Sequence, residues 1–467
     1  MLRCALPLSV ALVLLCGGEI ARAARTTTAV AGDVRAVAFT GDALAIAHMP
    51  PGGHLTIQRY AAGATPVRLL DTTLRGAGDE AQLAGSGEAL AVALQPDTHE
   101  TFGPSHVFVG PAAGPLREVA ACRASLLAPP VAVLGARVAW RDGACGEPAE
   151  RPTTTTPAAV VVGAADPAIT PTRIALDPTL LPMSIALSDA GGLVGALRPS
   201  FFAVDSEVRG FSVAGAGALL VSERSAIAAP VGVLADGTRV FSLARLDIGD
   251  GDGAVCPNAL FTIAAGATER RALPAGGCPL GADAPASAAS ARVGSSRVYA
   301  VVIEAAAARD TPPRLSVVSM RADGGHRRVH ATGSYRTPVG LAADGERVAY
   351  WHERCGDAVT DVVVVDDAGE DAGPAPIAAC RARVLTTTAR VRDGRIAVAV
   401  HCPQGCRGVA FETQGAPPRR LRSFAFGPGT HALALTLSRT VRRRGRLRLE
   451  LAVENGPARL AVIRLRR

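Results

Sequence analysis

A hairpin pattern that returns about every fifty residues constrains this chain more than any other feature. Its clearest copy is LAADGERVAYW, Leu341 to Trp351: an apolar approach, an Asp344-Gly345 turn, a Glu346-Arg347 pair placed at the surface, and an apolar strand from Val348. Asp-Gly supplies the positive φ that tight turns need, so apolar runs on either side of it read as a β-hairpin. In chain order the Gly345 position is held by Gly41, Gly87, Gly135, Gly191, Gly237, Ser295, Gly345 and Asp393, at spacings of 46, 48, 56, 46, 58, 50 and 48. A chain this rich in Gly and Ala produces chance copies, as the out-of-phase Gly217 shows, so the spacing is the evidence.

Units of about forty to fifty residues built from several short strands match the blades of a β-propeller. Within the best unit, RVAYW is followed by DVVVVD, a turn at Asp367 to Gly373, and the apolar IAAC that ends at Cys380. Helix-period windows are hard to find, and Gly and Pro recur at short intervals, as many short strands require. The expected fold is all-β: about seven blades over residues 30–388, followed by a small antiparallel β-sandwich at 389–467. A pair of β-sandwich domains is the competing arrangement.

The tail is set apart by charge. From Ala389 onward there are 17 Arg against four acids, a net of +13, while the rest of the chain carries −5. All 49 basic residues are arginine, which reflects coding bias and lowers the weight of arginine content as an argument. Leu447, Leu449 and Leu451 alternate with Arg446, Arg448 and Glu450, and Leu433, Leu435 and Leu437 alternate with Ala434 and Thr436. Period two with one apolar face predicts antiparallel strands packed on one side.

The first 23 residues have a basic Arg3, an apolar run from Ala5 to Leu15 and a small-x-small site at Ala21 to Ala23, the layout of a secretory signal peptide. The mature chain is therefore expected outside the cytoplasm, secreted or associated with the cell envelope, with no later transmembrane span and as a monomer. Eight cysteines then remain, an even number suited to an oxidising compartment. Proximity pairs Cys122 with Cys145, Cys256 with Cys278, Cys355 with Cys380 and Cys402 with Cys406. The Cys355–Cys380 bond would tie an inner hairpin to the outer edge of one blade. Zinc at His401, Cys402 and Cys406, or at His352 and Cys355, falls short of the four ligands that it needs.

LAADGERVAYW resembles the SPDG-type repeat of the TolB-like, WD40-like β-propellers of secreted bacterial proteins, and LADGTRVFSL is a weaker copy. That resemblance implies a scaffold for binding and supplies no catalytic residue. The order of the tail, CPxGCRG, then RRLRSFAFGPGTHALALTLS, then an Arg-rich strand pair, resembles accessory β-domains appended to secreted proteins of GC-rich bacteria.

Chemistry is sparsely marked. Asp250 and Asp252 are the calcium candidates, yet an EF-hand register places Ile248 at the first ligand position and Ala259 at the last, so a polar turn fits better. No GxSxG elbow, HExxH pair, phosphate loop or cofactor motif is present. Arg442, Arg443, Arg444 and Arg446 could contact an anionic surface, or form the solvated face of an edge strand. Nucleic acid is not expected, since the run lacks interleaved aromatics. The expectation is a non-enzymatic binding or scaffold protein whose partner is a protein or a cell-envelope polymer. The alternatives are a hydrolase or lyase acting at the mouth of the propeller channel, and a tail that anchors the chain to the envelope.

Overall fold

The computed structural model describes residues 25–74, 80–96, 103–125, 129–142, 159–177, 179–199, 204–224, 226–246, 255–274, 291–304, 314–334, 339–369, 373–414, 418–454, 456 and 458–466. Seven sheets of at least four strands succeed one another, and each begins where the hairpin spacing places a unit. The first strands of the blades are Asp33–Thr40, Glu80–Gly85, Val131–Leu134, Leu181–Ser188, Ala226–Val233, Ala291–Val293 and Gly340–Asp344. Each packs beside the next, and the seventh packs beside the first, so the blades close into a ring. The core is accordingly divided into clusters between blades, such as Val30, Val37, Phe39 and Ile46 against Ala349 and Val362.

The recurring glycines occupy the turn between the first and second strands of a blade. Gly41, Gly135, Gly191, Gly237 and Gly345 all have positive φ, a conformation that β-carbons disfavour. These turns also touch around the ring. Ser295 N donates to Gly345 O at 2.8 Å, Ser86 Oγ to Gly135 O at 2.6 Å, and Arg347 Nη2 to Gly41 O at 2.8 Å. The Glu346-Arg347 pair of the best repeat therefore reaches its neighbours: Glu346 accepts from Ser296 Oγ at 2.7 Å, and Arg347 lies 4.8 Å from the centre of the Phe39 ring. Trp351 Nε1 donates to Val34 O at 3.2 Å, which couples the last blade to the first.

One strand differs from the expectation. The seventh blade takes its fourth strand from the start of the chain, where Arg25–Ala31 pairs antiparallel with Val359–Asp366. The segment expected to supply that strand instead adds Ala375–Pro376 in parallel to the sixth blade. Pairing the two ends of the array satisfies the open edge of the last sheet and closes the ring, which strand order along the chain cannot reveal.

The tail is a sandwich of a three-stranded and a five-stranded sheet. Leu433, Leu435, Leu447, Leu449, Leu451 and Ile463 are buried between them with Val398 and Val400. The arginine run between the strands Gly429–Thr436 and Arg446–Val453, for which an anionic-surface contact or the face of an edge strand is expected, forms a helix from Arg439 to Arg444. Ser438 caps it by accepting from Val441 N, Gly445 ends it at φ 67°, and Val441 supplies its one buried side chain. Cap and stop at that distance suffice for a short helix, and only Arg446 belongs to the following strand.

Candidate functional site

At the joint between the two units, five acidic and basic side chains are brought together from distant parts of the sequence. Gly32 links the closing strand to the first blade with φ 93°, and a β-carbon there would lie 2.0 Å from Met49 O. This close passage places Asp33 and Arg35 at the entrance to the first blade. Glu353 ends the second strand of the seventh blade, and Asp357 lies in the loop that follows. Arg407 projects from the tail strand Cys406–Glu412. Gly356 and Gly405, both with positive φ, face each other across the joint: a β-carbon on Gly356 would lie 2.6 Å from the Gly405 α-carbon. Bulk at either position would push the tail away from the propeller.

The result is a cleft of about 260 Å³, lined by Asp33, Arg35, Glu353, Asp357 and Arg407, with Met49 and Pro50 on its apolar side. Arg407 bridges Glu353 and Glu454, while Arg35 pairs with Asp33 at 2.9 Å. Burial pushes the Asp33 carboxyl above its ordinary pKa; Arg35 opposes the rise, and the charge of Glu353 adds to it. Burial pulls the Arg407 guanidinium down, and the carboxylates of Glu353 and Glu454 outweigh that, leaving it above its ordinary value. A carboxyl that holds its proton more tightly, beside a second carboxylate anchored by arginine, is the division of roles used for acid and base work.

A second cluster mimics a nucleophilic triad. Ser319, His330 and Asp367 converge where the sixth and seventh blades meet, with His330 Nε2 2.9 Å from Ser319 Oγ. Here, however, Ser319 donates directly to Asp367 Oδ2 at 2.6 Å, and the same histidine nitrogen lies 3.6 Å from that carboxylate. A working triad puts the acid on the other ring nitrogen and leaves the hydroxyl open to substrate. Ser319, His330 and Asp367 are 0%, 3% and 3% exposed, and Arg297 and Arg328 also hold the aspartate. This network pins two blades together.

The cysteine expectations are met where they can be seen. Cys355–Cys380 and Cys402–Cys406 are disulfides, which removes both zinc half-sites. The first bond lies in the tail core beside Ala382 and Val398, away from the outer edge of a blade, because Cys380 follows the strand lent to the sixth blade. Cys145 and Cys278, the partners expected for Cys122 and Cys256, lie outside the described residues, as do Asp250, Asp252 and the signal-peptide segment. Among the described residues no helix is long and apolar enough to cross a membrane, and no group of three His, Cys, Asp or Glu side chains could hold a metal ion. Asp33 and Glu353 carried no signal in the sequence, being 320 positions apart and joined only by ring closure.

No family model matches the chain, and no curated protein matches it either. Among solved structures, puromycin hydrolase is similar at 13% identity and a TM-score of 0.46, over 80% of this chain and 59% of that one. The xyloglucanase from Xanthomonas campestris is similar at 12% identity and a TM-score of 0.44, over 81% and 60%. The β-propeller domain of the Trilobed protease from Pyrococcus furiosus is similar at 8% identity and a TM-score of 0.37, over 75% and 95%. The chain thus spans about 59% of the length of the first of these. The likeness is one of β-propeller fold. The expectation of a non-enzymatic scaffold is corrected: the similar structures include peptidases and a glycoside hydrolase.

Proposed function

We propose that this chain is a hydrolase or lyase that works by general acid catalysis in the cleft between propeller and tail. Asp33 is the proton donor in this reading, and Glu353, held by Arg407, is the partner carboxylate. The observation that carries it is the upward displacement of the Asp33 carboxyl by burial beside Glu353, within a cleft open to solvent. Proton transfer by a positioned side chain contributes about a hundredfold to ten-thousandfold in rate. Arg35 and Arg407 would orient an anionic or strongly polar group of the substrate against the two acids.

The same reading takes the chain as an exported, TolB-like propeller, monomeric, with residues 1–23 as signal peptide and the domain division near 388. The two disulfides support an oxidising compartment. The test is turnover of chromogenic glycosides, aryl esters and peptidyl anilides by the purified chain, beside Asp33→Asn and Glu353→Gln variants of unchanged circular dichroism. The expected result is turnover of one class, reduced about a hundredfold or more in Asp33→Asn. No turnover of any class, or equal turnover in Asp33→Asn, overturns the proposal.

A further inference from the structure

The outer face of the five-stranded tail sheet carries an exposed surface that neither the fold nor the cleft uses. Within the strand Arg459–Arg466, Ile463 points inward and is fully buried, which turns Leu460, Val462 and Arg464 outward. Leu460 and Val462 remain 74% and 59% exposed. Across the sheet, Arg464 stands opposite Arg446, Val462 opposite Arg448, and Leu460 opposite Glu450. Arg446 and Arg448 are exposed on the same face, because Leu447 and Leu449 between them are fully buried. At the opposite end of this face lies the cleft residue Arg407, so the apolar and basic patch and the cleft sit at different ends of the sheet. The helix Arg439–Arg444 adds three arginines in its last turn, beside Arg446.

Two features single out the partner. Among the described residues, no carboxylate pairs with Arg446, Arg448 or Arg464, whereas Arg68 and Arg173 on outer strands of the blades pair with Asp71 and Asp142. Exposed arginines alone would fit any polyanion. Two adjacent large apolar side chains turned into solvent between them gain nothing from a hydrated polymer, and they gain by entering the acyl boundary of a bilayer. We infer that this face docks on an anionic phospholipid surface, with Leu460 and Val462 inserted at headgroup depth and Arg446, Arg448 and Arg464 against the phosphates. Independently of the cleft chemistry, this places the chain at a membrane while leaving its cleft open.

The test is co-sedimentation of the full chain with phosphatidylcholine vesicles, with and without phosphatidylglycerol, at low and high salt. Binding is expected only with phosphatidylglycerol and is expected to fall as salt rises. Each Arg→Ser change among Arg446, Arg448 and Arg464 should weaken it about fivefold. Leu460→Ser with Val462→Ser should weaken it about tenfold or more. All of these side chains are at the surface, so an unchanged melting temperature certifies each variant. Equal vesicle binding after the Leu460→Ser and Val462→Ser changes, which would point to an anionic polymer, overturns the inference. So does absence of vesicle binding by the folded chain.

Discussion

Replacing Asp367 by alanine tests whether the Ser-His-Asp cluster is a structural pin. The Asp367 side chain is 2% exposed. It accepts from Ser319 at 2.6 Å and from Arg328 at 2.9 Å, and Arg297 Nε lies 3.4 Å away. The side chains of Arg297 and Arg328 are 9% and 26% exposed, so the first is left almost wholly in the interior without its counter-charge. Removing one member of a buried ion pair costs about 3 to 5 kcal/mol, most of it from the charge left behind. Arg328 keeps the carbonyls of Asp367 and Gly369 at 2.6 and 2.9 Å, which favours the lower half of that range. At roughly 2 °C per kcal/mol for a large domain, the melting temperature should fall by about 6 to 8 °C. Scanning calorimetry of the wild type, Asp367→Ala, Arg297→Met and the double variant gives the coupling. The double variant should be more stable than the sum of the single losses, since no charge is stranded. A fall below about 1 °C, or strict additivity, refutes the assignment.

Other consequences can be measured in the same way. Because burial raises the Asp33 carboxyl above its unfolded value, its contribution to stability is present at acid pH and is lost as pH rises through the folded pKa. Asp33→Asn should therefore melt higher than the wild type at neutral pH and show a flatter pH profile just above the ordinary carboxylate range; an unchanged profile argues against the assignment. The Cys355–Cys380 bond closes a separation of 25 residues, so Cys355→Ser, or mild reduction, should cost about 3.5 kcal/mol by the chain-entropy relation, read as an earlier urea midpoint. Gly340→Ala would set a β-carbon 2.0 Å from the Trp351 ring. It should weaken ring closure and enhance hydrogen exchange at Arg25 to Ala31, and an unchanged exchange pattern would separate that glycine from the closure.

How far the sequence could be read follows from where each interaction lies. The blade hairpins were legible because a turn glycine and its flanking strands are contiguous, and a positive φ restricts which residues can stand there. The tail strands were legible because Leu447, Leu449 and Leu451 share one buried face at period two. Cys402 and Cys406 were legible because four residues of separation leave little choice. The helix at Arg439 to Arg444 was hidden, since one buried residue, Val441, makes no periodicity and only the Ser438 and Gly445 caps mark it.

Local pattern thus determined the strand class, the blade length, the two-part organisation and one short disulfide, because each depends on neighbours a few residues apart. Tertiary structure alone decided that Arg25–Ala31 completes the seventh blade and that Cys380 enters the tail core. It alone assembled Asp33, Glu353 and Arg407 into one cleft. Those contacts arise when the ring closes and the tail folds back on its seam. Closure brings together residues more than three hundred positions apart, and a chain read in order carries no record of that proximity.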